Sequence, residues 1–355
     1  MALNEYSKFK IGERPHFGLY LTLAFLLAFV LLIPGLFFAK VFPLPATSQS
    51  LHEFSDVING IAAPLIAAGA AVITYYAFWV QYQANKIQRD VIEIERFENR
   101  FFTLLDIQKK NSESMEFKPS GKDVLKGVDA FVELNEELKK IFIKTCEIME
   151  IKSSNPTEKS IALDIASLLF FYGSEKDNNT AATIVQGTRL QETFTNVKSK
   201  LVIAKFTCPG YYKYLSHYLC HLYDTVKYID DNCKDISPGE LNDNGKGNKY
   251  NSSSRRLSYS DCYRYASIVR DQLSVHEQVL LFMLSESAIL SPWKDKGHGN
   301  FIVKYCLTKR VPPSLVEYYL PPIEIYNQSK NSFGKPLYEW GEYKERLSKR
   351  YEVKS

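Results

Sequence analysis

The chain has 355 residues, 44 Lys+Arg against 40 Asp+Glu, and is 45% hydrophobic, 24% charged and 14% aromatic. A charged fraction near the soluble average excludes a largely disordered chain and a polytopic membrane protein, and a net charge of +4 does not by itself imply nucleic acid. Gly (17) and Pro (15) exclude fibrous and low-complexity classes, and six cysteines without a CxxC pair suit a reducing compartment better than a disulfide framework or a zinc ribbon.

Two uncharged apolar stretches open the chain, Phe17–Ala39 and Val57–Val80. At about 1.5 Å per residue the first reaches roughly 35 Å, enough for a hydrocarbon core of about 30 Å. The expectation is an N-terminal segment, 1–80, holding a two-helix transmembrane hairpin (17–39 and 57–80). A signal peptide is the competing reading of the first stretch. Its apolar part is too long for that, and Lys40-Val41-Phe42-Pro43 follows where a small-x-small cleavage site would stand. Lys8, Lys10 and Arg14 before the hairpin, and Lys86, Arg89, Arg96 and Arg100 after it, outweigh Lys40 in the connecting loop. The positive-inside bias then predicts a multi-pass bacterial inner-membrane protein with both termini cytoplasmic.

The second stretch places Gly60, Ala63, Ala67 and Ala71 on one helix face, where small residues allow close helix approach. That packing face serves either the first span or a second copy, so the expected partners include the lipid bilayer and a homo-oligomer. Tyr75, Tyr76, Trp79 and Tyr82 read as an interfacial belt.

Beyond it, 81–110 reads as a juxtamembrane helix, with Ile87, Val91, Ile94, Phe97, Phe101, Leu104 and Ile107 at three- and four-residue steps. A break around Pro119-Ser120-Gly121 leads to a helical domain, 111–290, with helices predicted over 124–151, 159–171, 209–231 and 259–290. Within it, 232–256 reads as a flexible insertion, poor in apolar residues and rich in Gly, Asn and Ser. Residues 291–355 form a Pro- and aromatic-rich extension expected to wrap over the helices. Strand alternation is scarce, and the fold class expected is all-α.

No phosphate-binding GxxxxGK[ST] loop, GxGxxG, HExxH or GxSxG occurs. Gly245-Lys246-Gly247 lies in the polar insertion without a preceding strand. His217 and His221 stand four apart on a helix beside Cys220, but no third ligand is indicated, so neither a metal nor a cofactor is expected. Arg270-Asp271-Gln272-Leu273-Ser274-Val275-His276 is sharper. An arginine and a histidine nearly two helical turns apart can face one pocket, the cation holding a phosphate and the imidazole moving a proton. The competing reading pairs Arg270 with Glu277 or Asp271 and leaves His276 half-buried. The heptad resembles the signature of HEPN-type ribonucleases. That resemblance implies an all-α, metal-independent enzyme cutting RNA at a dimer interface, with Arg270 and His276 catalytic.

Three blocks, Phe97–Leu105, Tyr214–Asp230 and Tyr265–Phe282, resemble the phage abortive infection proteins labelled AbiC-like. The likeness lies in a tyrosine/histidine helix ending in Lys227-Tyr228-Ile229-Asp230, then a helix carrying Arg270, Gln272-Leu273-Ser274 and Glu277. Leu219-Cys220 stands where Phe-Arg is expected, and Asp271 where a small residue is commoner. The tandem N-terminal spans also resemble two-transmembrane effectors of anti-phage systems, including retrons. That resemblance implies a membrane-disrupting effector triggered or released by a cytosolic partner such as a reverse transcriptase–msDNA assembly. The membrane-tethered ribonuclease is the alternative. The polar insertion and the basic tail (Lys344, Arg346, Lys349, Arg350) are further candidate docking places.

Overall fold

A computed structural model describes residues 48–119, 123–151, 156–174, 180–233, 257–287, 293, 300–320, 331, 334–335 and 337–339. The fold is all-α, its strands limited among the described residues to two short ones and an isolated bridge. The chain divides into two units, 1–96 and 97–355. In the first unit, helix α1 (Ser48–Glu113) begins, and it runs without interruption through Pro64 to Glu113.

The membrane expectation is corrected here. Among the described residues no helix is long and apolar enough to cross a membrane. That finding overturns the multi-pass inner-membrane placement with its cytoplasmic termini. Among its 24 residues the stretch 57–80 holds nine alanines and glycines, which contribute little transfer free energy each, and Asn59, Pro64 and Thr74 besides. It is the opening part of one long helix that becomes polar toward Glu113. The stretch 17–39 lies outside the described residues, as do 234–256 and the basic tail. Gly60, Ala63, Ala67 and Ala71 are exposed on α1.

The second unit is built on apolar spacing. From Phe97, the buried residues of α1 are Phe97, Phe101, Leu105 and Gln108, so the stripe faces a core only from that point; Ile87 and Val91 are exposed. Phe97 and Phe101 meet Tyr265 edge-on at 4.9 and 5.2 Å, and the Tyr265 hydroxyl donates to Glu98 Oε1 at 2.6 Å. A hairpin of β1 (Glu116–Phe117) and β2 (Leu125–Lys126) follows, pairing Glu116 with Lys126 and Phe117 with Leu125. It is too short to show in a hydropathy pattern.

Helix α2 (Val128–Ile148) buries Ala130, Phe131, Leu134, Leu138, Ile141 and Phe142 on one face, against α3 (Pro156–Tyr172) and α8 (Val275–Glu286). Both of those helices are apolar nearly all round and lie inside the body. Two short helices that hydropathy did not mark, α4 (Thr180–Val185) and α5 (Gln191–Ile203), lead to α6 (Tyr212–Asp231), which packs on α7 (Tyr259–Gln272). In the extension, α9 (Phe301–Lys304) and α10 (Pro313–Val316) bury Phe301, Ile302 and Val316.

Three helices end in the same closure. After α2, α5 and α9, the residues Glu150, Lys205 and Cys306 take φ of 54°, 52° and 52°. Each amide there, and the next, returns to carbonyls of the last turn, as in Ile151 N to Cys146 O at 3.1 Å and Phe206 N to Leu201 O at 3.0 Å. These are Schellman ends without glycine at the left-handed position. Glycine is needed elsewhere. Gly173 and Gly210 have φ of 81° and 84°, and a Cβ on Gly173 would stand 2.7 Å from Cys208 O. The backbone after α3 thereby runs against the approach to α6, with Tyr211 N donating to Phe170 O at 2.8 Å.

Candidate functional site

The predicted helix 259–290 is two helices. Leu273 leaves the helical region (φ −71°, ψ 127°) and Ser274 (φ −61°, ψ 161°) caps α8. Ser274 Oγ accepts from Glu277 N at 3.2 Å, and Glu277 Oε2 accepts from Ser274 N at 2.7 Å. That is a reciprocal capping box. Gln278, fully buried, fills the bend: its Nε2 donates to Arg270 O and Leu273 O, both at 3.2 Å, and its Oε1 accepts from Arg310 N at 3.0 Å. It satisfies carbonyls that the end of α7 leaves open.

Glu277 does more than cap. Its other oxygen, Oε1, accepts from Tyr218 Oη at 2.7 Å and Ser112 Oγ at 2.8 Å. One carboxylate, 4% exposed, therefore ties α1, α6 and α8 together, its charge held by three donors. Burial, then the charge of Glu277, pushes the Tyr218 hydroxyl well above its ordinary pKa, so it stays a donor. The surroundings are polar as well. Gln108 stands beside Tyr218 with neither amide atom in a good hydrogen bond, and Asn111 Nδ2 and Asn135 Oδ1 are likewise unpartnered. Asn135 Nδ2 donates to His276 O at 2.8 Å.

Over this node opens a cleft of about 200 Å³ whose walls include Asn111, Ser114, Glu116, Lys213, His217 and Tyr218. Lys213 Nζ lies 4.8 Å from the Tyr214 ring, and His217 meets His221 edge-on at 4.5 Å. Glu116 is engaged by Lys126. A lysine, an imidazole, a hydroxyl and an amide thus line a small polar volume. Tyr218 belongs to both structures: it lines the cleft and donates to Glu277.

The heptad residues lie elsewhere. Arg270 ends α7, 8% exposed, with Nε 3.4 Å from Asp271 Oδ1. His276 opens α8, half-buried. The bend puts them on different helices, and neither lines this cleft. Of the two anticipated partners of Arg270, Asp271 is present and Glu277 is committed to the node. Among the described residues no group of three His, Cys, Asp or Glu is placed to hold a metal. Burial pushes the Cys146 thiol up to about 11 and Cys208 to about 12, away from nucleophilic use. The sequence reading missed Glu277, Gln278, Tyr218 and Ser112 as a connected set. Ser274-x-x-Glu277 was the available signal, since it has capping-box spacing.

The family model described as "Putative phage abortive infection protein" matches residues 210–315, which take in α6, α7, α8 and α9. The match supports the AbiC-like resemblance and stops short of the residues on which the two-span likeness rests. No curated protein and no solved structure matches the chain.

Proposed function

We propose that this chain acts in phage defence by abortive infection, its helical body binding a small polar ligand in the cleft between the end of α1, β1 and α6. Occupancy then passes through Tyr218 and Glu277 to the α7–α8 bend. The observation that carries the reading is the double role of Tyr218, wall of the cleft and donor to a buried carboxylate that also caps α8. A ligand that draws on the Tyr218 hydroxyl weakens one of the three bonds holding Glu277. The family match spans the elements supplying Lys213, His217, Tyr218 and Glu277. The bend separates Arg270 from His276, so the cleft and not the heptad carries this proposal.

The test is phage plating on cells expressing the chain, with infected cultures followed at low and high multiplicity. The expected result is protection at low multiplicity and culture collapse without phage release at high multiplicity. Lys213→Ala and His217→Ala, both at exposed positions, should abolish protection at unchanged protein level. A phage panel that plates equally with and without the chain refutes the defence reading. Full protection by both variants refutes the cleft.

A further inference from the structure

Arg270 carries an unanswered hydrogen-bonding group. Its side chain is 10% exposed, its Nη1 is buried without a partner among the described residues, and its ion pair, Nε to Asp271 Oδ1, is long at 3.4 Å. A guanidinium has five donors in a planar fork, and leaving one buried and unused costs stability. Such a group calls for an explanation.

Other cations gather at the same place. Arg310 Nη2 reaches the same Asp271 Oδ1 at 3.1 Å, and Lys335 Nζ stands 5.3 Å from the centre of the Tyr263 ring. Burial raises the pKa of the Tyr263 hydroxyl while Arg270 pulls it down, so the guanidinium is a neighbour of that ring as well. The Cys306 thiol, raised chiefly by burial, is drawn downward by Arg270, Lys309 and Lys335. Arg270, Lys309 and Lys335 are therefore neighbours of Tyr263 or Cys306, and Arg310 joins Arg270 through Asp271, the carboxylate between the two. Arg310 and Lys335 are exposed, and Arg270 forms the floor behind them.

We infer that Arg270, Arg310 and Lys335, with Lys309 beside them, form a binding site for a phosphoryl group. The fork of Arg270 and the mobile ends of Arg310 and Lys335 match an anion with several acceptor oxygens, and Arg–phosphate recognition is commonly bidentate. Asp271 holds Arg270 and Arg310 in register until the anion takes their remaining donors. The site is distinct from the cleft of the preceding proposal and does not depend on it. A phosphoryl group has two sources, a free nucleotide or a nucleic-acid strand.

The experiment is titration of the purified full chain with inorganic phosphate, AMP and a short single-stranded RNA oligomer, followed by calorimetry at two salt concentrations. Wild type should bind, more weakly as salt rises. Arg310→Gln and Lys335→Gln should each weaken binding about tenfold, in keeping with the loss of a charge-assisted contact. Arg270→Lys keeps the charge and loses the fork, and should weaken it comparably. If Arg270→Lys fails to fold by circular dichroism, the two surface variants decide alone. AMP binding as tight as RNA assigns a nucleotide, and binding of RNA alone assigns a strand. No binding of any probe by wild type at millimolar concentration, or unchanged affinity in Arg310→Gln and Lys335→Gln, overturns the site. Neither result bears on plating, so this site and the defence reading fail separately.

Discussion

Replacing Glu277 by Gln tests whether one carboxylate joins three helices. The change keeps the shape and removes the charge. Glu277 accepts from Ser112 Oγ (2.8 Å), Tyr218 Oη (2.7 Å) and Ser274 N (2.7 Å), so three charge-assisted bonds are altered at once. A glutamine has one acceptor oxygen. If that oxygen stays with the two hydroxyls, its amide meets the N–H of Ser274, donor against donor, and half the capping box is lost, at about 1 kcal/mol. The two surviving bonds fall from the charged to the neutral class, about 1 kcal/mol each. If the amide flips, the cap survives and both hydroxyls must reverse to accept, which again leaves neutral bonds throughout. Either arrangement costs about 2–3 kcal/mol. For a body of this size that lowers Tm by about 4–12 °C. The assay is urea unfolding of the full chain, run with Tyr218→Phe and the double variant. A double-mutant cycle should show coupling of about 1 kcal/mol or more between positions 218 and 277. Strict additivity, or a Glu277→Gln variant as stable as wild type, refutes the node.

Other expectations follow from single features. Gly173→Ala puts a methyl 2.7 Å from Cys208 O at a φ of 81°, and should cost about 3 kcal/mol or more in chemical unfolding. Lys205→Gly relieves a left-handed residue (φ 52°) at an exposed Schellman end. It should raise stability by about 0.5–1 kcal/mol, whereas Lys205→Ala should leave it nearly unchanged. Stability should also fall in alkali. Burial holds Cys208 at about 12 against an ordinary 9.0, so below about pH 9 both states keep the proton and the contribution is intact. Above it the unfolded chain sheds a proton that the folded chain retains, and stability drops by about 1.4 kcal/mol per pH unit toward 12. Cys208→Ala should show a shallower decline over the same range in unfolding at stepped pH. An equal slope would remove this thiol from the account.

The helical class was legible because apolar residues repeat at three and four positions through α2, α6 and the end of α1. What was not legible has physical causes. Helix α5 buries only Phe194, Val197 and Leu201 on a polar helix, too thin a stripe to mark a helix by hydropathy. The β1–β2 pair has two residues per strand, so no alternation can develop. The apolar run 57–80 reads as a span from its length, lack of charge and flanking residues, and such a reading does not weigh alanine against leucine. Tyr218 and Ser112 are 59 and 165 residues from Glu277, and no pattern in one sequence joins groups that far apart.

The stretch Arg270–Gln278 shows how a polar string divides between backbone and ligand. As a helix it presents an arginine and a histidine to a common face, which is the basis of its likeness to a ribonuclease signature. As a bend it has other obligations first, because every broken helix turn leaves amides and carbonyls to be satisfied. Ser274 and Glu277 answer the amides, and Gln278 answers the carbonyls of Arg270 and Leu273. Ser274 and Gln278 are explained by the bend alone, while Glu277 also accepts from Tyr218 and Ser112. Arg270 is different, since its carbonyl serves the bend while its Nη1 has no partner among the described residues. The same division separates Asn135, whose Nδ2 holds His276 O, from Gln108, whose amide stands beside Tyr218 without a well-formed hydrogen bond. Buried polar groups that the fold does not use cost stability, and apart from Ser167 Oγ those among the described residues fall at two places, the guanidinium behind Arg310 and the amides around the α1–α6 cleft. Those two places, rather than the Arg–His spacing, are where substitutions at exposed positions should change binding while leaving unfolding curves where they were.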